Sequence, residues 1–109
     1  MISEFVHLHN HSDYSLLDGA QRIDQLINTI DDLNMDSVAL TEHGNMFSVL
    51  PYYKEAKKSG IKPIIGCEIY VAVGSRFEKK TRVDGGWGNN HLILLAQNFI
   101  GYKNLMKLV

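Results

Sequence analysis

The sequence predicts an α/β fold in which short strands alternate with helices in the order β-α-β-α-β-loop-β-α, the strands parallel and joined by right-handed crossovers. Two observations carry that expectation. Windows of apolar residues at helical spacing are interleaved with short runs rich in β-branched and aromatic residues. The 109 residues, 45% hydrophobic and 21% charged, have the balance of a water-soluble chain and are enough for one modest core.

FVHLH reads as the first strand, and if its extension continues to residue 11, Phe5, His7, His9 and His11 share one face. From Ala20 to Asn34, the residues Ile23, Leu26, Ile27, Ile30 and Leu33 recur at helical spacing with Arg22, Asp24, Gln25, Asp31 and Asp32 between them, the pattern of an amphipathic helix. SVALT, residues 37–41, is a short buried strand. Pro51 fits the first turn of a second helix, with Leu50, Tyr53 and Ala56 on its apolar face and Gly60 as a left-handed C-terminal cap. IKPIIGCEIYVAV supplies a third strand, and the glycine- and charge-rich GSRFEKKTRVDGGWGNN reads as a protruding loop or hairpin. HLILLA is a fourth strand, and IGYKNLMKLV opens a helix with Ile100, Leu105 and Leu108 as core contacts. This last pattern stops without a cap, so residues 1–109 are expected to form the N-terminal portion of a larger domain. A domain cut there leaves a strand edge and apolar helix faces uncovered, and a symmetric dimer of the segment is expected.

Composition narrows the function. No apolar run approaches the roughly 20 residues that span a bilayer, and no basic segment, apolar stretch and cleavage site open the chain, so a cytoplasmic location without a membrane partner is expected. Cys67, the lone cysteine, lies in an apolar run and reads as a buried, inert thiol. With 11 basic against 12 acidic residues, the segment has no electrostatic grip on nucleic acid of its own.

Three of the five histidines stand in HLHNHS, on every second position. The candidate metal ligands fall at successive strands: His7, His9 and His11 at the end of the first, Glu42 and His43 directly after the second, Glu68 within the third and His91 at the fourth. In a parallel α/β architecture the strand ends converge on one face. Imidazole is the commonest side-chain metal ligand, and a carboxylate such as Asp18 or Glu68 can bridge two ions. A histidine on a strand is more often a hydrogen-bonded core or surface residue, and TEHGN would also serve as a turn. Glu68 stands apart, because a carboxylate inside an apolar strand is costly to bury unless it is paired or bound to a cation. The combination, more than any member, points to a metal centre.

HLHNHS followed by SLLDG, TEHGN, GIKPIIGCEIYVA and HLILLAQNFIGYKNLMKLV resembles the start of the polymerase-and-histidinol-phosphatase (PHP) domain as it occurs in bacterial DNA polymerase III alpha subunits, over essentially the whole chain. The last of these segments resembles the polymerase branch rather than free-standing PHP phosphatases. The resemblance implies a distorted (β/α)7 barrel, of which these residues would form the first four strands. It also implies up to three divalent ions, zinc or manganese with magnesium as an alternative, at the C-terminal face. It places the family's H-x-H pair on His9 and His11, with His7 in a supporting position beside them. Asp18, His43, the bridging carboxylate Glu68 and His91 fall on further ligand positions, with no catalytic residue separate from the ligands and no organic cofactor. Glu42 departs from the aspartate more usual there, which leaves its orienting role open, and the family's later ligands, including a D-x-H pair, fall beyond residue 109. The activity implied is DNA-directed DNA synthesis by another domain of the parent protein, and metal-dependent 3′ to 5′ exonuclease or phosphoesterase chemistry in the complete PHP domain. DNA and other replisome subunits are the implied partners, and the isolated segment is expected to be inactive. The alternatives are a stand-alone phosphatase of the histidinol-phosphatase type and a non-catalytic module that braces a polymerase.

Overall fold

The computed structural model describes residues 3–77 and 89–109. Its elements are α1 (Ile23–Asp32), β1 (Ser37–His43), α2 (Val49–Lys58), β2 (Lys62–Ala72), β3 (Asn89–Leu95) and α3 (Phe99–Leu108). The glycine- and charge-rich stretch expected to form a loop or hairpin lies for residues 78–88 outside the described residues.

The strands form one mixed sheet in the order β1-β2-β3. β1 and β2 are parallel, in register from Ser37↔Lys62 to His43↔Glu68, and α2 crosses between them. β3 is antiparallel to β2, from Gly66↔Leu95 to Ala72↔Asn89, which corrects the expectation of an all-parallel set. A parallel return needs a crossover, usually a helix. The sequence between β2 and β3 has no apolar helical period from which to build one.

A second correction concerns FVHLH, which is extended but forms no regular strand. The segment runs beside β1 in the same direction: the Ala39 N–H donates to the His7 carbonyl (2.8 Å) and the Thr41 N–H to the Asn10 carbonyl (2.9 Å). Two residues of β1 therefore span three of the segment, as at a bulge. The Asn10 side-chain amide fills the gap by donating to the Ala39 carbonyl (3.0 Å). The extra residue breaks the alternation that would have put His7 on the same side as His9 and His11.

The core lies between the helices and one face of the sheet. Ile23, Leu26, Ile27 and Ile30 of α1 are buried against Val38 and Leu40 of β1, Tyr52 and Ala56 of α2, and Ile61. Each fully buried aliphatic side chain contributes about 1.5–3 kcal/mol relative to exposure. Both helices end in the same device. Asn34 (φ 56°) follows α1 and Gly60 (φ 74°) follows α2 in the left-handed conformation. The next N–H in each case turns back, Met35 to the Ile30 carbonyl (3.0 Å) and Ile61 to the Ala56 carbonyl (2.9 Å). Ile61 thereby enters the core beside Ala56.

The apolar face of α2 is rotated from the one expected. Tyr52 and Ala56 are buried, whereas Leu50 and Tyr53 are exposed. Tyr52 takes the inner position because its hydroxyl donates to the Val38 carbonyl, so the ring is buried without stranding its polar end. In α3 only Leu105 of the three expected contacts is buried; Ile100 and Leu108 face outward. Asn98 caps this helix, its side-chain oxygen accepting the Gly101 N–H at 3.0 Å.

Candidate metal centre

Strand alternation divides β1 between two faces. Val38 and Leu40 point into the helical layer, and Thr41 and His43 point the other way. Register then aligns His43 with Glu68, while Tyr70, two residues further along β2, is opposite His91. These four side chains share the sheet face opposite the helices, near the C-terminal end of β1. His91 stands near the start of its strand, and only the antiparallel direction of β3 brings that start to this end of the sheet. Residues 9–18 approach from the free edge of β1 and add His9, His11 and Asp18.

Glu68 is the hub. One carboxylate oxygen, Oε2, lies 2.8 Å from His9 Nε2 and 2.9 Å from His11 Nε2, with His43 Nδ1 at 3.7 Å. The other, Oε1, lies 2.7 Å from His91 Nδ1. Burial pushes the Glu68 carboxyl up, but the hydrogen bonds from His9 and His91 and the charges of His43 and His11 outweigh it and hold the group below the ordinary carboxylate range. His43 meets Asp18 through its other ring nitrogen, Nε2.

These residues form three overlapping ligand groups: His9, His11 and Glu68; His11, Asp18 and His43; and His43, Glu68 and His91. In each, one ligand atom per residue lies within 4.8 Å of the others. Tetrahedral ligands about 2.1 Å from a shared ion are roughly 3.4 Å apart, so small side-chain adjustments convert each group into a coordination shell. The donor chemistry fits divalent ions. Among the described residues, Nδ1 of His11 and Nδ1 of His43 are buried without a hydrogen-bond partner, a state that burial penalises unless something else occupies the nitrogen.

Local geometry explains why Asp18 reaches the cluster. The N–H groups of Asp18 and Gly19 both donate to the Ser15 carbonyl (3.1 and 2.8 Å), closing a tight loop in which Leu17 takes φ 67°. A Cβ on Gly19 would lie 1.9 Å from the Ser12 carbonyl oxygen, so only glycine fits. Gly44, directly after His43, has φ 56°, and a Cβ there would meet the Tyr70 ring at 2.5 Å. That space lets the Tyr70 ring stack on His43, with centroids 6.3 Å apart, and meet His91 edge-on at 5.0 Å.

Two sequence-predicted residues are placed differently from the six. His7 packs edge-on against Phe5 (4.8 Å between centroids) and, among the described residues, makes no hydrogen bond to the cluster. Glu42 does not touch the histidine rings. It is buried and accepts from the hydroxyls of Ser12 (2.5 Å), Ser15 and Ser48 (3.2 Å) and from the Ser12 N–H (3.0 Å). Sequence reasoning missed these serines and Tyr70. Alternation along β2 from Glu68 points to Tyr70, whereas nothing in the spacing of Ser12, Ser15 and Ser48 marks a shared carboxylate.

A cavity of about 680 Å³ opens beside the cluster, lined by Asp18, His43 and His91 together with Tyr14, Phe47 and Tyr70. No lysine or arginine is among its described lining residues.

The family profile of the PHP domain matches residues 7–109. The chain belongs to the PHP domain family. This PHP segment is 58% identical over 106 residues to DNA polymerase III subunit alpha of Borreliella burgdorferi, covering 97% of the chain and 9% of that relative. It is 52% identical over 104 residues to the same subunit of Treponema pallidum, covering 95% of the chain and 9% of the relative. It is 45% identical over 117 residues to that of Mycobacterium tuberculosis, covering 97% and 10%. The PHP segment thus spans about a tenth of the length of the curated relatives it matches. Among solved structures, an amidohydrolase from Chromobacterium violaceum superposes with a TM-score of 0.62 at 22% identity, over 94% of this chain and 32% of that one, a likeness of fold. A two-domain protein from Bacteroides vulgatus, described as containing a predicted PHP-like metal-dependent phosphoesterase, superposes at 0.53 with 26% identity, over 62% and 23%. The mixed sheet with its parallel β1-α2-β2 unit is the PHP-like α/β fold. No helix of the described residues is long and apolar enough to cross a membrane.

Proposed function

We propose that residues 1–109 are the N-terminal portion of a PHP domain at the head of a replicative DNA polymerase alpha subunit, and that they supply His9, His11, Asp18, His43, Glu68 and His91 to a metal-dependent phosphodiesterase centre. The observation that carries this reading is the convergence of four histidines and two carboxylates, drawn from five separate places in the chain, with the buried carboxylate of Glu68 at the centre. The complete domain closes as a distorted (β/α)7 barrel holding up to three ions, zinc or manganese with magnesium as an alternative, and acts in the cytoplasm as a 3′ to 5′ exonuclease on DNA beside the other replisome subunits. The 58% and 52% identity to segments of polymerase alpha subunits, over nearly the whole of this chain, favours this parent over a stand-alone phosphatase.

Divalent ions held by His9, His11, Asp18, His43, Glu68 and His91 would supply Lewis-acid activation of a phosphoryl oxygen and of water. The chain's own residues do the rest. Glu68 presents both oxygens toward different histidines, which suits it to span two positions. Asp18 orients the His43 ring through Nε2, and Tyr70 limits its rotation by stacking. With no cationic side chain among the described lining, the phosphate is left to the ions, and the exposed rings of Tyr14 and Phe47 offer faces for a nucleobase.

The test is hydrolysis of single-stranded DNA by the full-length protein with zinc or manganese, alongside its Glu68→Gln and His9→Ala variants. Metal-dependent degradation that both variants abolish, with polymerase activity retained, is expected. Undiminished degradation in both variants would refute the assignment.

A further inference from the structure

We propose that Glu42 is the positioning residue of one metal position, that of His11, Asp18 and His43, and that it acts on them through Ser12 and Ser15. The inference rests on the metal-centre reading above and adds a division within it. Glu42 is 1% exposed, yet no cation reaches its carboxylate among the described residues; its partners are all neutral donors. A carboxylate buried without a counter-charge depends on such hydrogen bonds, and each bond also ties down its donor.

What those bonds fix is specific. Ser12, which donates both its N–H and its hydroxyl to Glu42, is the residue after His11. Ser15 donates its hydroxyl to the other carboxylate oxygen, and the same hydroxyl accepts the His43 N–H at 3.0 Å. The Ser15 carbonyl holds the Asp18 and Gly19 N–H groups. One carboxylate therefore anchors the backbone at all three members of the His11, Asp18 and His43 group. The fourth donor, the Ser48 hydroxyl, ties the start of α2 to the same carboxylate but leads to no ligand. Glu68, by contrast, gathers His9, His11 and His91 through its own side chain and, among the described residues, makes no hydrogen bond to Ser12, Ser15 or Ser48. The two carboxylates divide the work: Glu68 joins ligand side chains, and Glu42 sets the backbone from which the other group projects.

The experiment is site-resolved metal occupancy by anomalous scattering in crystals of the full chain equilibrated with zinc or manganese, with affinities from metal titration. Partners that orient ligands are typically worth 10–100-fold in metal affinity. Glu42→Gln places an amide where only donors arrive, so the His11/Asp18/His43 position, all of whose members it anchors, should weaken by about 10–100-fold, and the two positions built on Glu68, which share only His11 or only His43 with it, by clearly less. Ser15→Ala should reproduce this selective loss, and it decides the matter if Glu42→Gln does not fold. Ser48→Ala should lower thermal stability and leave all occupancies unchanged. Equal loss at every position, or loss at none, in Glu42→Gln and Ser15→Ala would overturn this inference alone. Absence of any ion from the wild-type chain would overturn the metal reading and this inference with it.

Discussion

Gly19→Ala isolates the geometry of the ligand loop with a single methyl group. Gly19 has no positive φ, so alanine meets no backbone penalty there, and the whole effect is steric. The added Cβ would lie 1.9 Å from the Ser12 carbonyl oxygen and 2.6 Å from its carbon, whereas ordinary contact begins near 3.4 Å. These are backbone atoms, and Ser12 is held by Glu42, so no side chain can swing aside. The loop must open by about 1.5 Å, carrying Asp18 away from His43 or Ser12 away from Glu42. Overpacking of this kind costs about 1–3 kcal/mol, and the rigid neighbours put this site near the upper end. A loss of about 3 kcal/mol corresponds to a fall in Tm of roughly 10–20 °C for a domain of this size. Metal affinity should fall as well, because Asp18 leaves its group. Gly60→Ala is the control: Gly60 has φ 74° with nothing within 4 Å of a built Cβ, so alanine there should cost about 1 kcal/mol of stability and leave metal binding intact. Differential scanning fluorimetry and zinc titration read both quantities. A Gly19→Ala protein with wild-type Tm and zinc affinity would refute the loop geometry and the role of Asp18 drawn from it.

Four further outcomes are expected. His9→Ala should weaken metal binding more than His7→Ala, since His9 lies 2.8 Å from Glu68 and His7 packs on Phe5 instead; titration giving the reverse order would reassign the pair. Tyr52→Phe should cost about 1 kcal/mol by leaving the Val38 carbonyl without its donor, and Tyr52→Ala about 3–5 kcal/mol, measured by urea unfolding. Because the Glu68 carboxyl is held below its ordinary value near 4.5, its contribution to metal-free stability is present above that pH and is lost as pH falls through the lowered value. The stability gap between wild type and Glu68→Gln should therefore shrink on acidification below about 4.5, and a gap that widens would contradict the sign. The 109-residue chain should dimerise at micromolar concentration, with Leu50, Phe99, Ile100 and Leu108 all more than 60% exposed; light scattering showing a compact monomer would dismiss this.

Much of this architecture was legible in the sequence where a periodic pattern and a local signal coincide. Ile23, Leu26, Ile27 and Ile30 mark one face of α1, and each is buried, whereas Leu33, read onto the same face, follows the helix as its C-cap and is exposed. Gly60 announces the end of α2 because few other residues tolerate its backbone angle. The face of α2 was harder, since Leu50 and Tyr53 are as apolar as Tyr52, and the choice depends on which hydroxyl finds a carbonyl across the core. The six candidate ligands stood out by residue type, and the structure brings them together. The serine knot around Glu42 did not, because serine is common in loops and its partner lies about 30 residues away in β1.

The direction of β3 was written in the position of His91. In a sheet whose parallel strands carry their ligands at their C-terminal ends, His91 in a parallel β3 would lie four residues short of that end, away from His43. The four residues from His91 to Leu95, at about 3.3 Å each, make roughly 13 Å, about twice the reach of an imidazole. Convergence of His91 with His43 and Glu68 therefore requires the strand to run backward, as it does, with His91 opposite Tyr70. The expectation that His91 joins the cluster and the expectation that all strands are parallel were incompatible from the outset. The chemistry of the site, more than the periodicity of the strands, was the better guide to topology. A parallel β3 would have left Glu68 Oε1 without its 2.7 Å partner, a carboxylate oxygen buried in an apolar strand with nothing to offset its desolvation.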